Sequence, residues 1–457
     1  MSFLDALRSG FSRTFWVANV LELFERFAYY SSKAILAVFI AEQVGLGAQT
    51  ATLFAGSVFN TLLYLLPVLA GTVVDRFGFK RSLLACFAIF SIGYFLIGLG
   101  GLPMGRPLVQ AVGPKAWMLM ALVVTAIGGS LIKPSIVGTV ARTTTDETKA
   151  LGFSIYYTLV NIGGAVGPFI ALAVRENVGI SYVLVVSSLT SLVLFTCTLL
   201  FYKEPQRPAA APPVAGFRTV FFRMLRLLFC PLILLWHAAR LGVATMAETE
   251  QSQEHRIELL RRQYAPLRFL TFLVIFSGFW AMFWHVFYAL PFYVKDFLQY
   301  PRFEVIETVD AMTIIVVTIP ATALAKRLRP LAAMVLGFVL ATACWFIMGS
   351  VPTIAGAVVA MMIFALGEAI QSPRFYEYVA NLAPADQVGT YMGFAFLPIA
   401  IGTFIAGLSS GYLVKHYVEG GNPSAPQMWY VVGAYGVVST ILMVLYDRFV
   451  APKRATA

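Results

Sequence analysis

Acidic and basic side chains stand together inside one apolar segment near the start of the chain. The stretch VLELFERFAYYSSKAIL, residues 20–36, holds four charged residues: Glu22, Glu25, Arg26 and Lys33. At roughly 100° per residue, three of the charged residues and one tyrosine fall close to one line of a helix: Glu22, Arg26, Tyr29 and Lys33. Glu25 and Tyr30 lie at the margins of this line. A buried carboxylate takes up a proton when its cationic partner moves away, because desolvation disfavours the charged form. The spacing therefore predicts a helix whose polar stripe can bind and release protons.

Two more charges, Lys133 and Glu368, stand in other apolar segments. We predict a proton-coupling set: Glu22, Glu25, Arg26 and Lys133. In this set the cations control the proton affinity of the carboxylates. A zwitterionic ligand needs a cation for its carboxylate and an anion for its ammonium, and Arg26 and Lys133 facing Glu368 would supply both. The alternative is an ion-pair network with a purely structural role.

The composition indicates a membrane protein, since 59% of the 457 residues are hydrophobic and 12% are charged. A bilayer core of about 30 Å takes roughly 20 apolar residues per helical span, and runs of that length exclude strands. About twelve segments qualify: 14–42, 49–74, 82–101, 116–142, 150–175, 180–202, 267–298, 304–324, 331–350, 353–380, 390–415 and 427–447. The prediction is an all-α membrane protein. Its buried charges must face a protein interior or water, because each costs about 2.5 to 3.5 kcal/mol at the centre of a membrane helix.

Basic residues in the loops predict which side is cytoplasmic. Outside the long central connection, one side holds thirteen: Arg8, Arg13, Arg76, Lys80, Arg81, Arg142, Lys149, Lys326, Arg327, Arg329, Arg448, Lys453 and Arg454. The other side holds six: Arg106, Lys115, Arg175, Lys295, Arg302 and Lys415. The positive-inside rule then places both termini in the cytoplasm of a multi-pass protein of a plasma or inner membrane. Orientation and lipid contact account for the net charge of +11, so nucleic acid is not an expected partner.

A long polar connection divides the chain into two halves. The predicted units are an N-terminal six-helix bundle, 1–202, a cytoplasmic linker, 203–266, and a C-terminal six-helix bundle, 267–457. The linker contains the Pro/Ala-rich stretch KEPQRPAAAPP and, near its end, the charged helical stretch EHRIELLRRQ. Its apolar part, 214–245, contains several arginines and a proline, which favours a helix lying in the cytoplasmic interface. A thirteenth crossing is the alternative, but it would turn the second half upside down against the charge rule.

Catalysis and metal binding are not indicated. We find no nucleophile paired with a base, no metal-ligand cluster and no phosphate-binding glycine loop, so an enzyme, a metal and an organic cofactor are not expected. The cysteines are isolated in apolar runs and are expected to pack in the core: Cys86, Cys197, Cys230 and Cys344. Among the histidines only His285 lies in a span, where it either faces a cavity and titrates or packs in the interior.

A cytoplasmic motif follows the second span. The stretch GTVVDRFGFKR, residues 71–81, resembles the signature of the major facilitator superfamily, whose plan is two six-helix bundles joined by a cytoplasmic connector. Gly71 permits close helix contact, and Asp75 can hold the amino-terminal end of a neighbouring helix and basic residues such as Arg76. Such a latch would favour the outward-open state. The alternative is that the basic residues only anchor the topology.

Four segments narrow the resemblance to the proton-dependent oligopeptide transporter family. ELFERFAYY, 22–30, matches the family's first-helix ExxERFxYY motif. GGSLIKPSI, 128–136, resembles its fourth-helix stretch with a Lys before Pro. FSIYYTLVNIGG, 153–164, is similar to its FYxxINxG signature, and GEAIQSP, 367–373, resembles the tenth-helix segment with a buried Glu. The four occur in the family's order and span most of the chain.

This resemblance implies roles for individual residues. Arg26 and Lys133 match the positions that take the peptide carboxylate, Glu368 the one that takes the amino terminus, and Asn161 a contact to the peptide backbone. Tyrosines supply amphipathic walls that tolerate varied side chains: Tyr29, Tyr30, Tyr156 and Tyr157. Each tyrosine taken singly can equally be a packing residue. Lys33 and Trp284 complete the predicted substrate-binding set, and protons are the implied coupling ion.

The chain departs from the family at the outer gate. The family usually pairs an Arg, here Lys33, with a seventh-helix Glu, here Trp284, and Trp cannot accept a charge. We therefore expect outer closure to depend on apolar packing of Trp280 and Trp284 rather than on an ion pair. The predicted gating residues are Gly71, Asp75, Arg76, Lys33, Trp280 and Trp284. In the eighth helix, where the family has an Asn, only Asp310 lies nearby.

One further pair of charges follows Glu368. Arg374 and Glu377 are three residues apart, so they can pair on one helix face as a structural or inner-gate contact.

The expected function is secondary active transport, as proton-coupled symport of di- or tripeptides or related zwitterions by alternating access. The expected partners are that small molecule and the lipid bilayer, and the chain is expected to be a monomer. One alternative is a related carrier of a non-peptide metabolite, including an exporter, and another is a transport-inactive sensor or scaffold. Intact Arg26, Lys133 and Glu368 favour a working carrier, whereas Trp284 favours altered substrate or coupling.

Overall fold

The computed structural model of the chain describes residues 10–145, 148–206, 250–382, 391–392 and 394–451, together with Arg218 and Phe222. These residues are helical apart from short connections, and no strand occurs among them. The predicted interfacial segment 214–245 lies outside the described residues except at Arg218 and Phe222.

Long helices follow one another in two sets of six within the described ranges. The first set is α1 Arg13–Val38, α2 47–77, α3 Phe79–Leu99, α4 Pro114–Thr143, α5 Lys149–Asn177 and α6 Ile180–Phe201. The second set is α7 Glu250–Tyr288, α8 Phe303–Lys326, α9 Pro330–Ser350, α10 Ile354–Leu382, α11 Leu397–Leu413 and α12 Met428–Leu445. A π-helical turn extends four of them: Phe39–Gln43 after α1, Tyr293–Phe297 after α7, Val414–Val418 after α11 and Tyr446–Val450 after α12.

Among the described residues, nine helices are long and apolar enough to cross a membrane. Helix α2 makes a tenth if its two parts, Gly47–Leu65 and Leu69–Phe77, count as one span bent by 46°. The bend lies at Pro67, which has no backbone N–H to continue the helical hydrogen bonding. Helix α1 does not qualify by composition, because it carries the four charges of the polar stripe. Helix α1 is therefore set apart by the same polar stripe that the sequence singled out.

The helices pack as two groups that meet along two seams. In the first group α1 packs on α5 and α6, and α3 packs on α4 and α6. In the second group α7 packs on α11 and α12, and α10 packs on α8 and α9. Between the groups α5 packs on α8, and α2 packs on α11. The two halves are therefore joined at the α5–α8 seam and at the α2–α11 seam.

Small residues bring α2 and α11 into backbone contact. A Cβ placed on Gly407 would lie 2.4 Å from the Ser57 backbone nitrogen, so this crossing requires glycine. Ser57 Oγ donates to the Phe404 carbonyl at 2.7 Å across the same seam. Such packing of small residues with a hydrogen bond across the seam is typical of membrane helices.

Helix α7 begins earlier than the sequence pattern predicts. It runs from Glu250 into the span, so the predicted helical stretch EHRIELLRRQ is continuous with the seventh span. The stretch is rich in Glu, Leu, Arg and Gln, which are strong helix formers, and hydropathy alone marks only the apolar part of such a helix. The predicted boundary at 266/267 falls inside this helix.

Candidate functional site

The polar stripe of α1 is buried, with its four charged residues at most 5% exposed. Arg26 Nη2 lies 2.5 Å from Glu25 Oε2, and Arg26 Nε lies 3.3 Å from Glu22 Oε1. The other carboxylate oxygens, Glu22 Oε2 and Glu25 Oε1, are buried without a hydrogen-bond partner. Two carboxylates thus share one guanidinium, and the cluster needs either a proton or a second cation to balance its charge.

Helix α5 supports this cluster from the side. A Cβ on Gly163 would come within 2.3 Å of Arg26 Cβ, so glycine is required for the two helices to approach here. Tyr156 Oη donates to Glu22 Oε1 at 3.4 Å. Asn161, predicted to contact substrate, donates through Nδ2 to the carbonyl of Tyr157 in its own helix at 2.9 Å. The NIGG segment therefore positions α5 against the charges.

Lys133 brings α4 to the same place. One small cavity is lined by residues of four helices of the first half: Glu25, Arg26, Tyr29, Leu63, Tyr64, Phe90, Gly129, Ile132 and Lys133. Lys133 Nζ lies 5.4 Å from the Tyr64 ring and 5.4 Å from the Phe396 ring of the second group. Within the described ranges no carboxylate lies at ion-pair distance from this ammonium. Lys133 is thus a second cation at the meeting of the two halves.

Helix α10 contributes the opposite charge from the second half. Glu368 Oε2 is buried and has no hydrogen-bond partner. This carboxyl group lies close enough to Tyr30, Tyr64 and Tyr157 of the first half to act on their hydroxyls electrostatically. The small cavity is thus lined by the first half alone, and Glu368 of the second half lies near the tyrosines beside it.

Lys33 occupies an aromatic cage, which we define as the rings of Tyr29, Tyr30, Phe283, Trp284 and Phe287. Its Nζ lies 3.9 Å from the Trp284 ring centre and 3.7 Å from that of Phe287, both on α7. The other three rings lie between 5.3 and 5.6 Å away. A desolvated ammonium over an aromatic face gains about 2 kcal/mol from the ring quadrupole. Trp284 therefore contacts Lys33 directly although it cannot form an ion pair.

Ion pairs close the same side of the molecule, which we call the outer side after the predicted orientation. Arg175 of α5 contacts Glu304 of α8 through Nε at 2.5 Å and Nη2 at 3.0 Å. Two further pairs cross between the halves: Arg302 with Glu176 at 2.8 Å, and Lys295 with Glu42. Three ion pairs thus join the outer side in addition to the rings around Lys33, so the predicted packing of Trp280 and Trp284 is not its sole contact.

Trp280 takes no part in the cage. Its ring packs on Phe279 and Phe283, and its Cβ lies 2.5 Å from where a Cβ on Gly402 of α11 would be.

A hydrogen-bonded chain joins the cavity to the α2–α11 seam. Tyr29 Oη donates to Asn60 Oδ1 at 3.3 Å, and Asn60 Nδ2 donates to Tyr288 Oη at 2.5 Å.

The inner end of α2 is disengaged. The Asp75 side chain is half-exposed and lies 3.7 Å from Arg142, while Arg76 is exposed. The amino terminus of α3 is held by Glu204, which accepts from the backbone N–H groups of Phe79 at 2.8 Å and Lys80 at 2.6 Å. A Cβ on Gly71 would meet no atom of the described residues within 4 Å, so among them the expected close helix contact is absent in this conformation.

The Major Facilitator Superfamily matches residues 19–407 of the sequence. The chain belongs to this superfamily. Both the two-bundle all-α fold and the multi-pass membrane character predicted from the sequence are thereby confirmed.

Relatives of this major facilitator protein include peptide permeases. Dipeptide and tripeptide permease B of Aliivibrio fischeri (strain MJ11) is 30% identical over 172 residues, 37% of this chain and 32% of the permease. Dipeptide and tripeptide permease A of Escherichia coli (strain K12) is 30% identical over 155 residues, 33% of this chain and 28% of the permease. The matched segment thus spans about a third of the length of these relatives.

Solved structures agree over almost the whole fold. A POT family transporter in complex with a thioalcohol-conjugated peptide has a TM-score of 0.74 at 16% identity, covering 96% of this chain and 97% of that one. A POT family transporter in complex with 5-aminolevulinic acid gives the same values. The predicted resemblance of this major facilitator protein to the proton-dependent oligopeptide transporter family is confirmed.

Other predicted residues of this major facilitator protein pack inside a half. His285 is buried, with Nδ1 2.6 Å from the Ala281 carbonyl and Nε2 3.1 Å from Ser409 Oγ, so it faces the interior of the second bundle. Arg374 pairs with Glu377 at 2.5 Å and donates to the carbonyls at the end of α8, which is a structural role. Among the described residues, His, Cys, Asp and Glu form no group of three that could hold a metal ion.

Sequence reasoning missed two acids of this major facilitator protein, Glu304 and Glu307 of α8. Both are at most 3% exposed. With Asp310 they repeat at three-residue intervals in an apolar segment, which is the signal that singled out α1.

Proposed function

We propose that the protein is a proton-coupled symporter of di- or tripeptides or related zwitterions. The observation that carries this proposal is the arrangement of opposite charges on the two halves. Arg26 and Lys133 lie on the first half, and Glu368 lies on the second with a free carboxylate oxygen. A ligand with a carboxylate at one end and an ammonium at the other would bridge the two walls and pair both of its charges.

Tyrosines would bind the part of the ligand between its charged ends. Tyr30, Tyr64 and Tyr157 lie near Glu368, and the Tyr157 side chain is 45% exposed. Their rings offer apolar surface and their hydroxyls can donate or accept, which suits a peptide backbone with varied side chains. The relatives of this chain are dipeptide and tripeptide permeases, which supports the same substrate class.

Protons are the proposed coupling ion, and we assign them first to Glu22 and Glu25. These two carboxylates share Arg26 and keep one unpartnered oxygen each. When a ligand carboxylate takes Arg26 or Lys133, the cluster loses a cation and its proton affinity rises. Ligand and proton would then bind together, as symport requires.

Alternating access would arise from rocking of the two halves about the cavity. The outer side is joined by ion pairs and the cage, while Asp75 and Gly71 at the inner end are disengaged. In the other state we propose that the inner latch closes and the outer contacts part. The cytoplasmic placement of both termini and the monomeric state remain parts of this proposal.

Uptake of radiolabelled alanyl-alanine into proteoliposomes tests the function. With an acidic exterior we expect accumulation that a protonophore abolishes, and Lys133→Ala should abolish it in folded protein. Glu368→Gln should weaken alanyl-alanine far more than N-acetyl-alanyl-alanine, because only the first has a free ammonium.

The same panel should include 5-aminolevulinic acid, a zwitterion without a peptide bond.

Glu377→Gln, which alters a carboxylate further along α10, serves as the matched control for Glu368→Gln. Uptake that ignores the pH gradient would exclude symport, and equal losses for blocked and free peptides would place Glu368 outside the recognition site.

A further inference from the structure

The acid at the outer gate of this chain lies on α8. Glu307 is 3% exposed, and both of its carboxylate oxygens are buried without a hydrogen-bond partner. No cation of the described residues lies at ion-pair distance from it, whereas its neighbour Glu304 is held by Arg175. A carboxylate left without cation or donor inside a membrane protein costs several kcal/mol, so such a group is held as the neutral acid.

The charges around Glu307 come from each helix packed against α8. Helix α1 brings Lys33, α5 brings Arg175, which is already paired with Glu304, and α10 brings Glu368. Of the acidic groups near Lys33, Glu307 has the strongest electrostatic effect on its ammonium. Lys33 and Glu307 are therefore natural counter-ions that this conformation keeps apart.

Two further carboxyl groups continue from Glu307 towards the cavity. Asp310 stands one turn along α8, is 8% exposed and has a buried Oδ1 without a partner. Asp310 in turn acts electrostatically on Glu368 of α10, and Lys33 acts on both. The acids thus connect the outer gate to the ligand site.

We propose that Glu307 is the proton-binding site of the outer gate and that its protonation decides where Lys33 lies. With the neutral acid, Lys33 remains in the aromatic cage and the outer side is closed. With the carboxylate, the ammonium leaves the rings of α7 to pair with Glu307, and the outer side opens. Loading transfers one proton from outside water to the Glu307 carboxylate, forming an O–H bond and cancelling the attraction that drew Lys33 away.

Infrared spectroscopy of the purified, lipid-embedded protein tests the protonation without any substrate. At neutral pH we expect the C=O stretch of a protonated carboxyl group that disappears in Glu307→Gln. The band should persist in Glu176→Gln, because that carboxylate lies at the surface of the same seam, in the exposed pair with Arg302. An unchanged band in Glu307→Gln would overturn the proposal.

A second variant guards against misfolding. Glu307→Asp keeps a carboxyl group, so the band should remain but shift in frequency; loss of the band in this variant, with the helical circular dichroism intact, would also contradict the assignment. If Glu307→Gln does not fold, the Glu307→Asp spectrum alone decides.

The link to transport rests on the proposed symport and is tested separately. In Glu307→Gln, accumulation of alanyl-alanine driven by an acidic exterior and exchange of labelled for unlabelled alanyl-alanine at equal pH should both be lost, because the neutral amide leaves Lys33 in the cage and the outer side closed. Thermal stabilisation of the purified variant by alanyl-alanine should persist. Retained pH-driven accumulation would remove Glu307 from coupling. If the wild type does not transport alanyl-alanine, the proposed function fails, but the infrared result still decides the protonation of Glu307.

Discussion

Lys33 contacts the outer-gate position of α7 although that position holds Trp284 rather than an acid. Burial of an ammonium is costly unless something replaces its water, and here two ring faces lie within 4 Å of Nζ. The rings attract the cation through their quadrupole and at the same time pack as apolar surface. The cage therefore combines a polar and an apolar contact between α1 and α7.

A double-mutant cycle separates these two contributions. Lys33→Gln removes the charge, and Trp284→Leu keeps an apolar side chain but removes the ring face. If the cation–π contact closes the gate, the two changes should be non-additive by roughly 1 to 2 kcal/mol in the closing equilibrium. Thr52→Cys, in a background without native cysteines, reports opening by labelling with an impermeant maleimide in intact cells, since Thr52 is buried at the α2–α11 seam.

The control for this cycle is Trp280→Leu, which alters a ring outside the cage. Its effect should add to that of Lys33→Gln without coupling. Simple additivity of Lys33→Gln with Trp284→Leu would instead show that packing alone closes the gate.

Residues within one helix were predictable and residues across helices were not. The pairing of Glu22 and Arg26 follows from their spacing of four, and the structure has it at 3.3 Å. The cage around Lys33 joins residues some 250 positions apart in the sequence, and no local pattern encodes which ring meets which cation. Glu307 carried a local signal, a buried acid in an apolar segment, but the comparison with the family drew attention to Asp310 instead.

At the scale of elements, α5 and α8 form the outer seam through charges of unequal burial. Glu304 is fully buried against Arg175, whereas Arg302 and Glu176 are exposed by 56% and 39%. A buried pair that loses one partner leaves an uncompensated charge, which costs about 3 to 5 kcal/mol. An exposed pair is solvated in both states and contributes about 0 to 1 kcal/mol.

Neutralising each acid in turn should show this difference. We expect Glu304→Gln to open the outer side strongly, and Glu176→Gln, its matched control on the exposed pair, to change little. Maleimide labelling of Thr52→Cys measures both, and high salt should weaken only the Arg302–Glu176 contact. Equal responses of the two variants would mean that α5 and α8 are held by packing rather than by charge.

Spans were easier to predict than the ends of helices. Hydrophobic length fixes how much of a helix lies in the bilayer, and the predicted α5, 150–175, differs from the observed Lys149–Asn177 by only a few residues. The polar extension of α7 to Glu250 has no such length requirement, so hydropathy could not locate its start. The turn between α2 and α3 was easier to predict, because its backbone has a φ of 87° at Gly78, a conformation that favours glycine.

In the molecule as a whole, the outer and inner ends of the first bundle differ in their contacts with the second half. Its outer end is tied to the second half by three ion pairs and the α2–α11 seam. At its inner end Asp75 contacts only a residue of its own half among the described partners, at 3.7 Å. A rocking carrier must break the contacts at one end when it forms those at the other, because contacts at both ends at once would trap the ligand.

Gly71 tests whether the inner end of α2 closes in the other state. Its environment is open in this conformation, so a Leu side chain should fit without strain and should even favour the helix over glycine. If α2 meets a neighbouring helix at Gly71 when the inner side closes, Gly71→Leu should hold the protein outer-closed. Uptake of alanyl-alanine and labelling of Thr52→Cys should then both fall, while thermal stabilisation by the peptide persists. Val73→Leu, on an exposed position of the same helix, is the control and should leave transport and labelling unchanged. Normal uptake by Gly71→Leu would show that Gly71 never approaches another helix and that the motif around Asp75 acts only as a topological anchor.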